Sequence, residues 1–217
     1  MERELVCFID DSPFERRVFE DAFAGAFDLV IARDCTEADG LLADKYSGRP
    51  VDLFVLDLYI PSRDRADLAT HPELLGNEIR ERTLSRVLGL LTLIEGVARR
   101  VLDPVQNGDR LLRELYRVVE EAETSLRTFA SEIGQTPEGG FANLRHVRNR
   151  YPGVPAVFYT RKANSADVIR CFREQADAVL KKPQNGDDED ILALTVKTAG
   201  DTITLFRECM SRGRRRT

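Results

Sequence analysis

The 217 residues, 42% hydrophobic and 32% charged, are enough for one domain or for a domain with a sizeable insertion. No apolar run approaches the ~18 residues of a membrane span, and the opening MERELVCFIDD lacks the pattern of a signal peptide. A net charge of −5 argues against a nucleic-acid-binding surface over most of the chain, with the terminal RGRRRT reading as a solvated basic tail, and four scattered cysteines without a CxxC pair suit a reducing cytoplasm and give no metal or disulfide signal.

Residues 5–10 (LVCFID) read as a buried strand. Asp11-Ser12-Pro13 then starts a helix, proline being tolerated in a first turn, with Phe14, Val18, Phe19, Ala22 and Phe23 on one apolar face. Residues 28–32 (DLVIA) predict a second strand, and Thr36 can cap a second helix with Ala38, Leu41 and Leu42 inward. After the loop Ser47-Gly48-Arg49-Pro50, residues 51–57 (VDLFVLD) predict a third strand that ends in Asp57.

The pattern changes at Ser62. Two long helical stretches follow, roughly 73–103 and 109–134, each with apolar residues at spacings of three and four. Joined by the turn signals Asp103-Pro104 and Asn107-Gly108, they read as an antiparallel helical hairpin. Extra apolar residues on the first arm (Leu88, Leu90, Leu93, Val97 and Leu102) leave a strip to bury elsewhere, which points to a homodimer or partner contact through 73–134.

The alternation then resumes. Gly139-Gly140 is expected to open a helix with Phe141, Leu144 and Val147 inward. Residues 155–160 (PAVFYT) predict a fourth strand, Asn164 or Ser165 caps a helix bearing Val168, Ile169 and Phe172, and 177–180 predict a fifth strand. A last helix from about 190 carries Ile191, Leu194, Ile203 and Phe206. Five strands alternating with helices imply an α/β fold, a parallel sheet covered on both faces. Ligands of such sheets sit beyond the carboxyl ends of the strands, and here those ends carry Asp10 and Asp11, Asp57, Thr160, and Lys181-Lys182-Pro183.

That ordered set resembles the receiver domain of bacterial two-component response regulators, over residues 4–61 and 139–207, roughly 130 residues and a normal domain size. The resemblance implies a five-stranded doubly wound sheet of the flavodoxin/CheY-like order 2-1-3-4-5. It divides the chain into a receiver domain (1–61 and 139–217) and an inserted hairpin (62–138). It implies that Asp57 accepts a phosphoryl group from a histidine kinase or phosphotransfer protein. It implies a Mg²⁺ ion held by Asp10, Asp11, Asp57 and the Tyr59 carbonyl. Three crowded carboxylates repel one another unless a cation intervenes, and Mg²⁺ takes oxygen ligands. Thr160 and Lys182 would bind the phosphoryl oxygens, strand alternation and the following proline favouring Lys182 over Lys181. The protein would be a stand-alone signalling phosphoacceptor, with only self-phosphorylation and self-dephosphorylation as its chemistry and output through protein contacts.

Three positions depart from the family. Arg161 replaces the usual small residue after the threonine, where it could shield or contact the phosphoryl site. Tyr59 is bulky where water would approach an acyl phosphate, which implies slow dephosphorylation. Val179 stands where an aromatic usually moves with the threonine. A non-phosphorylated pseudo-receiver acting as a dimeric scaffold is the alternative that Arg161 and Val179 keep open. His71 and His146 read as surface residues rather than phosphorelay histidines. Tyr59 also stands where a related phosphohydrolase would need an acid/base aspartate, so the enzyme reading is poor.

Overall fold

Three runs of apolar side chains, LVCFI, LFVL and AVFYT, become the centre of a parallel sheet and are buried along their whole length. The computed structural model describes residues 3–61, 135–161, 163–183 and 187–213, with six single positions between 92 and 124. The strands are β1 (Leu5–Ile9), β2 (Asp28–Ala32), β3 (Leu53–Leu56), β4 (Ile60–Pro61), β5 (Gln135–Thr136), β6 (Ala156–Thr160) and β7 (Ala178–Lys181). The helices with described bounds are α1 (Pro13–Phe23), α2 (Cys35–Lys45), α3 (Pro137–Arg150), α4 (Ser165–Arg173) and α5 (Asp188–Gly213). The main sheet runs β2-β1-β3-β6-β7, all parallel, while β4 and β5 form a separate pair. Taking the five main strands in chain order, this is the order 2-1-3-4-5 of the flavodoxin/CheY-like doubly wound fold.

Strand alternation sorts the core into two layers. On one side Phe8 stacks on Phe19 of α1 with centroids 3.9 Å apart, and Phe206 of α5 lies 5.7 Å from Phe23. On the other, Phe54 meets Tyr151 just after α3, and Phe141 of α3 meets Phe158 edge-on. Burying rings of this size from both faces is what allows central strands without a polar side. The edge strands β2 and β7 are only partly covered.

The chain divides into two compact units, Met1–Pro61 with Thr136–Thr217, and Ser62–Gln135. The expected hairpin arms and their dimer contact over 73–134, and His71, lie outside the described residues, apart from Thr92, Arg113, Tyr116, Arg117, Glu120 and Thr124, which are helical.

Several local expectations shift. Helix α2 is capped by Asp34, whose side chain accepts from Glu37 N–H, and not by Thr36. Helix α3 begins at Pro137, two residues before the glycine pair, because proline's missing N–H costs nothing there. On α4 the inward stripe is Asp167 and Cys171, leaving Ile169 and Phe172 exposed at 53% and 54%. Asn164 and Asp167 form a reciprocal capping box at its start.

Gly139 and Gly140 lie inside the first turn of α3 because the backbone after Asp57 leaves no room for a side chain. A Cβ on Gly140 would stand 2.3 Å from the Leu58 carbonyl oxygen and 2.8 Å from that of Asp57. The Gly140 N–H donates to the Leu58 carbonyl at 3.2 Å. Gly140→Ala should therefore destabilise the protein by about 2 kcal/mol through forced backbone displacement. Gly40→Ala, in α2 with nothing within 4 Å of the added carbon, should stabilise it by up to ~1 kcal/mol. Urea unfolding of the two variants checks both signs.

Candidate functional site: an acidic rim closed by a buried lysine

Each group at this rim is delivered by the end of a strand. Asp10 follows β1 and Asp57 follows β3, and their backbones are pinned there, Asp10 N–H to the Ala32 carbonyl and Asp57 N–H to the Ile9 carbonyl. Thr160 closes β6, and Lys182 follows β7 with its N–H on the Thr160 carbonyl. Lys181, one residue earlier, points to solvent, so the strand's alternation selects Lys182.

Lys182 is 3% exposed, Asp10 1% and Asp57 8%. The ammonium contacts Asp10 Oδ2, sits 3.1 Å from Asp57 Oδ1 and 3.5 Å from Glu15 Oε2. Its Nζ lies 5.6 Å and 5.8 Å from the ring centres of Phe8 and Tyr159, which floor the site. Burial by itself would make this amine easier to deprotonate. Asp57, Asp10 and Glu15 together outweigh burial and hold it charged, its pKa above the usual lysine range. For Asp10 the balance falls the other way. Burial raises its carboxyl to about 6 and the Asp57 charge adds to that, against the lowering by Lys182 and by the Ser12 N–H.

The remaining predicted residues surround this core. Asp11 is half-buried at the rim, and the Arg16 guanidinium donates to the Asp10 and Asp11 carbonyls at 2.7 Å and 2.8 Å. The Tyr59 N–H donates to Asp57 Oδ2 at 2.9 Å. The Tyr59 side chain is buried, and its hydroxyl donates to Asp167 Oδ2 of α4 at 2.7 Å. Thr160 Oγ1 is fully buried with no hydrogen-bond partner among the described residues. Arg161 pairs through Nη2 with Glu15 Oε1. Val179 lies half-buried in β7. His146 is away from the rim, its Nε2 3.0 Å from Asp39 Oδ2 on α2.

The expected ligand set is only partly gathered. Among the described residues no three His, Cys, Asp or Glu side chains are arranged together as metal ligands, and Lys182 occupies the space between Asp10 and Asp57. The donor chemistry nevertheless suits a hard divalent cation. Asp10, Asp11 and Asp57 bring carboxylates to the ends of the neighbouring strands β1 and β3.

Sequence reasoning missed two participants. Glu15 touches both Lys182 and Arg161, and Asp167 anchors Tyr59. A signal for Glu15 did exist, since Ser12-Pro13-Phe14-Glu15 has the spacing of a capping box.

With this geometry in place, the chain can be set beside known proteins. No family model and no curated protein matches it. Many of the solved structures similar to it are response-regulator receiver domains, at low identity. The Mn(2+)-bound form of the response regulator Rcp1 is 14% identical, covering 90% of this chain and 91% of that one, with a TM-score of 0.44. The signal receiver domain of an HD domain-containing protein from Pseudomonas fluorescens Pf-5 is 15% identical, covering 94% and 98%, with a TM-score of 0.43. A response regulator from Thermotoga maritima is 12% identical, covering 93% and 98%, with a TM-score of 0.44. No helix among the described residues is long and apolar enough to cross a membrane.

The raised Asp10 carboxyl has a measurable consequence. Its ordinary value is 3.8, so on folding the group takes up a proton between about pH 4 and 6. The folded state then binds more protons than the unfolded one, and stability falls as pH rises through that window. In EDTA, to exclude divalent ions, raising the pH from 4 to 7 should cost on the order of 2–3 kcal/mol from this group. Asp10→Asn should flatten that slope, as denaturant titrations at the two pH values would show.

Proposed function

We propose that the protein is a phosphoacceptor receiver of two-component signalling, phosphorylated on Asp57 by the phosphohistidine of a histidine kinase or phosphotransfer protein. The observation that carries this reading is the buried Lys182 ammonium on Asp10 and Asp57, next in the sheet to a buried Thr160 hydroxyl that has no hydrogen-bond partner among the described residues. A cation and a spare donor at one rim suit a group that arrives carrying several negative oxygens.

The chemistry follows from the groups present. An Asp57 carboxylate oxygen attacks phosphorus in line with the departing nitrogen. The O–P bond forms as the P–N bond breaks, and the electron pair of that bond returns to the imidazole. Lys182 neutralises charge spread over the phosphoryl oxygens, and the Thr160 hydroxyl donates to one of them. Asp10, Asp11 and Asp57 with the Tyr59 carbonyl are the oxygen donors that would hold Mg²⁺, which when bound supplies further neutralisation of the transferring oxygens. Tyr59, held sideways by Asp167, keeps its ring beside the phosphoacceptor loop, which supports a long-lived acyl phosphate. Phosphotransfer is the only chemistry this reading assigns, and the output passes through protein contacts. The apolar stripes of 73–134 support a homodimer as the form that makes those contacts, and a monomeric mass by light scattering, with and without a phosphoryl mimic, would remove that part.

The decisive experiment is the intact mass of the protein after incubation with acetyl phosphate and Mg²⁺. We expect a gain of about 80 Da, one phosphoryl group in place of a proton, that is absent in Asp57→Ala. The labelled species should persist for many minutes. Decay within seconds would contradict the role given to Tyr59. No gain under conditions that label an ordinary receiver would favour the non-phosphorylated scaffold.

A further inference from the structure

Glu15 is the third residue of α1, three positions after its cap, Ser12. A glutamate there ordinarily turns back to accept the cap residue's backbone N–H, completing a capping box. Only half of that box forms. The Glu15 N–H donates to Ser12 Oγ at 3.3 Å, but the Ser12 N–H donates to Asp10 Oδ1 at 2.9 Å instead. With its usual partner taken, the Glu15 carboxylate turns to the rim, one oxygen on Arg161 Nη2 and the other 3.5 Å from Lys182 Nζ. Its side chain is 14% exposed, and that of Arg161 is 24% exposed.

Both of those cations face the acidic rim, and Arg161 is only partly used. A guanidinium can present two parallel N–H donors to a carboxylate or phosphoryl group. Here Nη2 is engaged while Nε is buried without a hydrogen-bond partner among the described residues. The fork therefore has a donor left over, as does the adjacent Thr160. The guanidinium is also steadied 6.0 Å over the Phe14 ring, so it is held close to the rim whichever anion it binds.

We propose that Glu15 is a resident stand-in for the phosphoryl group. In the resting protein its carboxylate occupies Arg161 and shares Lys182, and phosphorylation displaces it, passing Arg161 to the phosphoryl oxygens. The inference rests on Asp57 being the phosphoacceptor. Phosphorylation replaces one carboxylate charge with nearly two phosphoryl charges beside Glu15. Glu15 and the phosphoryl group then compete for the same two cations, and the group with more oxygens and more charge wins. The exchange breaks no covalent bond. It turns Arg161 from an obstacle over the site into a ligand of the product and releases the first turn of α1 from the rim.

The test uses the full chain with Mg²⁺ and beryllofluoride, a phosphoryl mimic whose bound form is read by fluorine NMR. Glu15→Gln keeps the shape and removes the competing charge, and it should bind beryllofluoride about tenfold more tightly than the unmodified protein. Arg161→Ala should bind it more weakly. In the double variant the gain from Glu15→Gln should shrink to the smaller part that passes through Lys182, because most of it passes through Arg161. Glu15→Ala, checked for an unchanged unfolding transition, should repeat the gain. Unchanged or weaker binding by both Glu15 variants, or a full gain surviving without Arg161, would overturn the proposal while leaving the Asp57 reading intact, provided Asp57→Ala abolishes binding. Failure of the unmodified protein both to bind beryllofluoride and to take up label from acetyl phosphate would remove the two readings together.

Discussion

The site depends on an amine buried among three carboxylates. Lys182 leaves the end of the edge strand β7, and to reach Asp57 and Asp10 its side chain must pass β6. Neighbouring strands are about 4.8 Å apart, so a four-carbon stem is the kind of side chain that can make this crossing. The rings of Tyr159 and Phe8 lie beneath it, so the stem rests on apolar surface while the charge reaches the acids. Take away the ammonium, and Asp10 and Asp57 are left as buried acids with no cation between them. Take away the acids, and a buried lysine would lose its proton. The parallel sheet matters because it brings the ends of β1, β3, β6 and β7 to one edge.

Around this core the local backbone is specified tightly. The turn after Asp57 is held from inside by the Tyr59 N–H on the carboxylate and from outside by the glycine pair of α3. Tyr59 then ties the same turn to the start of α4 through Asp167, a residue that also completes that helix's capping box. One carboxylate thus serves both a helix end and a loop. The turn after Asp57 is therefore in contact with two helices, α3 through Gly140 and α4 through Tyr59. The α4 helix presents Ile169 and Phe172 outward as an apolar surface.

Much of this was legible in the chain. The apolar runs at 5–9, 53–56 and 156–160 announced central strands, because a strand buried on both faces has no polar alternation to hide it. The acids and the lysine could be placed at one edge because each stands just after such a run, and the period of two separated Lys182 from Lys181. The helix limits were less legible. Thr36 and Asp34 are both competent caps, and only the path of the chain out of β2 selects Asp34. The outward turn of Ile169 and Phe172 could not be read from spacing either, since a stripe holding Asp167 looks polar until its bond to Tyr59 is known.

What the sequence alone determined, then, is the alternation of strands and helices and the chemical identity of the strand ends, because both are written in patterns of two and of three to four residues. What only the tertiary structure decided is where charge goes once those ends meet. Glu15 has the spacing of an ordinary helix cap, yet it faces Arg161 and Lys182, residues 146 and 167 positions further along the chain, because Asp10 has taken its partner. The pairing of a buried charge depends on every other charge within a few ångströms, and that neighbourhood exists only after the sheet has formed.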